Sequence, residues 1–81
     1  MKVYIVMEDA GYEGDNDVTI LGVFSTEEKA KEEFEFRIKS TKINMDKDWE
    51  CDDMGNNFWA WEKYRMSRNW IHIWIAEEIV K

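Results

Sequence analysis

Trp70-Ile71-His72-Ile73-Trp74-Ile75 is the stretch whose reading decides the fold. Side chains alternate across a strand, so Ile71, Ile73 and Ile75 share one face and Trp70, His72 and Trp74 the other. A strand in a small one-sheet domain ordinarily has one apolar face and one wet face. Here the second face is aromatic, so both sides need a cover. A helix upstream can supply one. The other cover is either residues 40–57, with Ile43, Met45 and Trp49, or a second copy of the chain, or a partner.

Immediately before this strand, Phe58-Trp59-Ala60-Trp61-Glu62-Lys63-Tyr64-Arg65-Met66 alternates aromatics and reads as its hairpin mate, with Ser67-Arg68-Asn69 as the turn. With even parity through the turn, Ala60, Tyr64 and Met66 join the isoleucine face. Trp59, Trp61, Lys63 and Arg65 then join Trp70, His72 and Trp74. A three-residue loop with a bulge would reverse that assignment.

Further upstream, residues 2–7 alternate as a strand, with Val3, Ile5 and Met7 on one face and Lys2, Tyr4 and Val6 on the other. Residues 10–17 read as a polar loop, and residues 18–24 as a second strand closing a hairpin. Ser25 as N-cap with Glu28 three residues on makes a capping box, and a helix over 26–39 buries Ala30, Phe34 and Ile38. Glu27–Lys31, Glu33–Arg37 and Glu35–Lys39 are spaced for support along its wet side. Residues 40–57 show no period and read as a long connection. The order is ββαββ, an α+β domain spanning residues 1–81. It has a four-stranded, mainly antiparallel sheet with one helix over Val3, Ile5, Phe24, Ile71, Ile73 and Ile75. Strand order stays open.

Composition bounds the function. Hydrophobic residues make up 44% of the 81 and argue for a folded core. Five Trp are many for this length, and Trp is enriched where surfaces meet. One cysteine, Cys51, rules out a disulfide framework and favours a reducing compartment. The N-terminal apolar run is too short for a signal peptide or a span, so the expectation is a cytoplasmic protein without membrane association.

The net charge of −7 is concentrated. Residues 8–17 hold Glu8, Asp9, Glu13, Asp15 and Asp17 without a base. Residues 46–53 hold Asp46, Asp48, Glu50, Asp52 and Asp53 against Lys47 alone. Direct nucleic-acid binding through these segments is disfavoured, and a basic partner or mimicry of a polyanion is favoured. In the ββαββ path the first hairpin loop and the helix exit lie at one end, where the acids would form one negative surface.

Catalytic and metal signatures are missing from the sequence. His72 and Cys51 are the only imidazole and thiol, too few for a zinc site within one chain. Aligned as calcium loops, Asp9 as first ligand puts Ile20 where a bidentate Glu belongs, and Asp46 puts Cys51 where Gly belongs. Nothing positions Cys51, Ser25 or Ser67 against His72 as a nucleophile. Gly11-Tyr12-Glu13-Gly14 has no lysine and is surrounded by acids, so it is not a phosphate loop. The expectation is a non-enzyme without cofactor or metal.

The stretches Val3-Tyr4-Ile5-Val6 and Gly11-Tyr12-Glu13-Gly14 precede Leu21-Gly22-Val23-Phe24-Ser25-Thr26-Glu27-Glu28-Lys29-Ala30. With the closing Trp74-Ile75-Ala76-Glu77-Glu78-Ile79-Val80, this resembles small uncharacterised proteins of phages and bacterial genomes that pair a hairpin with such a helix start. The resemblance covers about residues 1–35 and 70–80. It implies a phage or mobile-element origin, in the host cytoplasm, and a non-enzymatic inhibitor or modulator of a host protein. No functional residue carries over from it.

The residues themselves nominate two binding features. The first is the aromatic face of Trp59, Trp61, Trp70, His72 and Trp74, with Trp as the typical anchor of an interface. The second is the acidic set Glu13, Asp15, Asp17, Asp46, Asp48, Asp52 and Asp53, suited to steering a basic partner. The alternatives are a DNA mimic that blocks a nucleic-acid-binding host protein, a domain that holds a nucleotide or other aromatic ligand, and a plain homodimer.

Overall fold

The computed structural model describes residues 1–12, 15–45, 47–64 and 69–80. Five strands and one helix follow in the order β1 (Lys2–Tyr12), β2 (Asp15–Phe24), α1 (Glu27–Asn44), β3 (Trp49–Met54), β4 (Asn57–Glu62) and β5 (Asn69–Ile79). The sheet is antiparallel throughout, with strand order β2-β1-β5-β4-β3. The class is α+β as expected, but the strands number five.

The additional strand is β3, inside the segment read as a connection. It is an edge strand whose residues, Trp49 apart, are exposed. Edge strands are commonly guarded by charge, and that removes the alternation by which a strand is recognised. The local signal was the turn: Gly55-Asn56 joins Met54 to Asn57, and Gly55 has φ 61°. Gly-Asn between two runs marks a two-residue hairpin, because such turns need a positive φ at their first position.

α1 begins one residue later than the capping box implies. Thr26, not Ser25, is the N-cap: its Oγ1 accepts from the Lys29 backbone N–H at 3.4 Å. With Thr26 in that role the third helical position is Lys29, so Glu28 closes no box. Glu27 and Glu28 lie in the first turn and Lys42 in the last, each at the end of the helix dipole that favours it. The helix continues past residue 39 to Asn44, and the Met45 N–H closes it on the Lys42 carbonyl.

The helix stripe is the expected one. Ala30, Phe34 and Ile38 are buried and meet Val6, Phe58, Ala60 and Ile73. Tyr4, Leu21, Phe24, Met45, Trp49, Ile71 and Ile75 pack around them. The face of β1 under the helix is the other one from that expected. Val6 is fully buried there, while Val3 and Ile5 point away with Met7. The register decides this: Val6 stands opposite Ile75, so the two side chains share a face, and Ile5 stands opposite Ala76. Both faces of β1 are apolar, and only the pairing with β5 chooses between them.

β1 and β2 slip register between Val6 and Met7, so that Leu21 is an additional residue, a β-bulge. The bulge brings residues an odd number apart onto one face. Leu21 and Phe24 both pack on the helix side. Val23 and Ile20 stand opposite Ile5 and Met7 on the other side.

Candidate functional site

The face of the sheet away from α1 is built from three rows that cross all five strands. One row is Val18–Asp9–His72–Trp59–Asp52, another Asn16–Gly11–Trp70–Trp61–Glu50, and a third Ile20–Met7–Trp74–Asn57–Met54. Directly opposed residues in an antiparallel sheet share a face, so each row lies on one side. The even-parity hairpin is therefore correct: Trp59 pairs with His72 and Trp61 with Trp70, while Ala60 pairs with Ile71 beneath the helix. β4 ends at Glu62, earlier than the sequence implied. Tyr64 is exposed beyond it, and Arg65 and Met66 lie outside the described residues.

The aromatics form a ladder. The Trp59 and His72 rings stack at 3.9 Å with 10° between planes, and His72 and Trp74 at 4.5 Å with 23°. Trp59 and Trp70 sit 5.7 Å apart, tilted by 38°. His72 donates its Nε2–H to Asn57 Oδ1 at 3.1 Å, which orients the ring in the stack. Packing between two indoles removes water from the imidazole and lowers its pKa below the usual 6.5, against an upward pull from Asp9 on the next strand.

Trp70 extends the ladder onto β1. A methyl group at Gly11 would fall inside the Trp70 indole, so the ring lies across the bare backbone of its cross-strand neighbour. The glycine read as part of a loop is thus a seat for an aromatic ring.

No described residue covers this face. Met45 and Trp49, nominated as a cover, pack on the helix side, and Ile43 is 77% exposed. Trp59 is 40% exposed, and Val18, Ile20 and Val23 are each more than half exposed. Sequence reasoning missed the contribution of Ile5, Met7, Val18, Ile20 and Val23 to the face. The alternation of Val3, Ile5 and Met7 was legible. The bulge that aligns Val18, Ile20 and Val23 was not, since nothing around Leu21 announces it.

The described acidic residues do not gather into one patch. Asp15 and Asp17 open β2 at one edge of the sheet, while Asp52 and Asp53 belong to β3 at the other. Asp53 faces the helix and pairs with Lys42 at 3.2 Å. Asp48 precedes β3, and its carbonyl accepts from the Lys63 N–H. Glu13 and Asp46 lie outside the described residues. The charged groups on the open face are Asp9, Glu50, Asp52 and Glu78. Among the strand residues no Lys or Arg joins them: Lys2 is the one Lys or Arg in the five strands, and it lies on the helix side, paired with Glu77 at 2.6 Å.

Beside the open face, a cleft of about 490 Å³ lies where the end of α1 meets the ends of β1 and β5, with Tyr12, Met45, Trp49 and Trp70 on its walls. Asn69 Nδ2 donates to Glu62 Oε2 there at 2.8 Å, and Asn69 Oδ1 has no partner among the described residues. No group of three or more His, Cys, Asp or Glu side chains suited to a metal ion occurs among the described residues. Nor is any helix there long and apolar enough to cross a membrane.

A family model described as "Domain of unknown function (DUF7336)" matches residues 1–60, which takes in β1, β2, α1, β3 and most of β4. The match includes the hairpin and helix start of the resemblance and extends through the middle of the chain, and it does not reach residues 70–80, on which the resemblance also rested. No curated protein and no solved structure matches the chain.

Proposed function

For this chain, which belongs to the DUF7336 family, we propose a non-enzymatic, acidic protein-binding module whose open sheet face occupies a surface of another protein. One observation carries the reading. An apolar and aromatic surface extends over the strands on the side opposite the helix, and no described element lies on it. Exposed apolar patches of that extent are rare on monomers and mark sites of association. Trp59, Trp61, Trp70 and Trp74 are the anchors, and Val18, Ile20, Ile5 and Met7 extend the contact. In a phage-type setting the module acts in the host cytoplasm as an inhibitor or modulator of a host protein.

A DNA mimic would need carboxylates spaced along one surface. The division of the acids between two edges and two faces speaks against that variant. A second reading has a feature in its favour. The cleft beside Trp49 and Trp70 combines indole walls with the Glu62–Asn69 pair, a combination suited to a flat, donor-bearing aromatic ligand.

Affinity capture from the lysate of the encoding host tests the first reading, with the wild type set against a Trp59→Ser/Ile20→Ser variant. Proteins held by the wild type and lost by the variant support it; an unchanged set overturns it. A melting shift with purine or pyrimidine nucleosides, abolished by Glu62→Gln, would favour the cleft.

A further inference from the structure

We infer that the open face is built to receive arginine side chains, and that its partner is a protein segment carrying two arginines beside an apolar stripe. The inference rests on the protein-binding reading above and specifies the chemistry of the partner.

The carrying juxtaposition lies at the β4–β3 edge. Trp59 stands directly opposite Asp52, and Trp61 directly opposite Glu50. Each is an indole with a carboxylate one strand away, about 5 Å across the sheet. The two pairs are two residues apart along the strands, about 7 Å. A guanidinium is planar, lies flat on an indole and presents its fork edge-on to a carboxylate, so one arginine can engage both members of a pair at once. An ammonium is a compact, strongly hydrated point charge and cannot match both geometries equally well. The spacing of the two pairs matches side chains at i and i+2 of an extended segment, or i and i+4 of a helical one.

Charge decides between occupants. Within the five strands every Asp, Glu, Lys or Arg on the open face is a carboxylate, and the helical bases lie on the other layer. A second copy would bring carboxylates onto carboxylates, under a net charge of −7 per chain. A nucleic-acid strand would bring phosphates onto Asp9, Asp52 and Glu50, which opposes the stacking that the indoles offer. An arginine-bearing protein meets neither penalty. Its apolar stripe continues from Trp59 and His72 towards Met7 and Ile20, and Asp9 supplies one more carboxylate in the row of Trp59 and Asp52.

The cation–π contacts within the chain are elsewhere among the described residues. Lys42 lies over Phe58 on the helix side, and Lys63 over Tyr64 beyond β4.

The test is a titration of the isotope-labelled full chain with a short amphipathic peptide carrying leucines flanked by arginines, and with its lysine and glutamate counterparts. The arginine peptide should shift the indole N–H signals of Trp59 and Trp61 and the amides of Asp52 and Glu50. It should bind several-fold more tightly than the lysine peptide and weaken with salt. The glutamate peptide should leave the signals in place. Asp52→Asn/Glu50→Gln should weaken the arginine peptide by about tenfold, since it removes two charge-assisted pairs. Asp53→Asn, one residue away on the helix side, removes one charge from the same strand and should leave affinity unchanged.

Equal affinity for the lysine and arginine peptides overturns the inference, as does equal weakening by the Asp53 variant. Two other results overturn it in favour of a different occupant: a single-stranded oligonucleotide that shifts the same signals more tightly, or dimerisation of the free protein that Trp59→Ser abolishes. If the peptides fail while host proteins still depend on Trp59, this inference falls and the protein-binding reading stands.

Discussion

The two faces of one sheet differ less in hydrophobicity than in what their side chains are shaped to do. Beneath α1, small and compact residues alternate with single large ones: Ala60 and Ala30 make room for Phe58, Phe34 and Ile73, all buried. On the open face the large residues are adjacent and none leaves room for a helix. Trp59, His72 and Trp74 stack on one another, and Trp70 lies across Gly11. A packed core needs facing knobs and gaps, whereas an interface needs broad, rigid surface. Charge differs in the same sense. The helix layer pairs several of its lysines, as in Lys31–Glu27 and Lys42–Asp53, while the strand residues on the open face include acids and no Lys or Arg.

Mutations should separate the faces by size of effect. The largest is expected from Phe34→Ala, a core truncation that should cost about 3–5 kcal/mol in urea unfolding. A loss under about 1 kcal/mol would mean that the helix does not pack as described. Next is Gly11→Ala, which places a methyl group inside the Trp70 ring and should cost about 1–3 kcal/mol as overpacking. Adding Trp70→Ala should recover part of that loss, because neighbours in contact are not additive. Simple additivity in the double variant would dissociate Trp70 from Gly11.

A smaller effect concerns pH. Burial lowers the His72 pKa below 6.5, so in the folded protein the ring resists protonation that the unfolded chain accepts. The unfolded state therefore binds more protons as pH falls through 6.5. Stability is lost from there down to the lowered folded-state value, and is fully present above 6.5. His72→Phe should remove that slope between about pH 7.5 and 5.5, above the range where carboxylates titrate. A ring titration by NMR with a midpoint above 6.5 would contradict the buried stack. The smallest effect is Ile20→Ser on the open face, within about 0.5 kcal/mol of wild type in stability because the side chain is 60% exposed. The same variant should nonetheless lose partner binding. A large stability loss with intact binding would make the open face a core and end the comparison.

How far the chain could be read in advance varies by element. The α1 stripe was legible because Ala30, Phe34 and Ile38 follow a helical period that no other element can use. The cap was off by one residue because Ser25 and Thr26 are both competent, and only the Thr26 hydroxyl reaches the Lys29 amide. β3 was illegible by pattern, since its acids serve an exposed edge, although Gly55-Asn56 marked its turn. The aromatic ladder was legible from alternation in β4 and β5. Its continuation over Met7, Ile20 and Val18 was not, because a bulge at Leu21 set that alignment.

The amino-acid sequence by itself determined the partition within each element: isoleucines from tryptophans on β5, the buried stripe of α1, the antiparallel hairpin of β4 with β5. These follow from local geometry, since side-chain direction repeats every two residues in a strand and every 3.6 in a helix. Only the tertiary structure decided which apolar face of β1 lies under the helix, that β5 inserts between β1 and β4, and that no described residue covers the indoles. Those outcomes depend on register between Val6 and Ile75, residues far apart in the chain. Alternation sets the parity of a strand and leaves open the neighbour it meets.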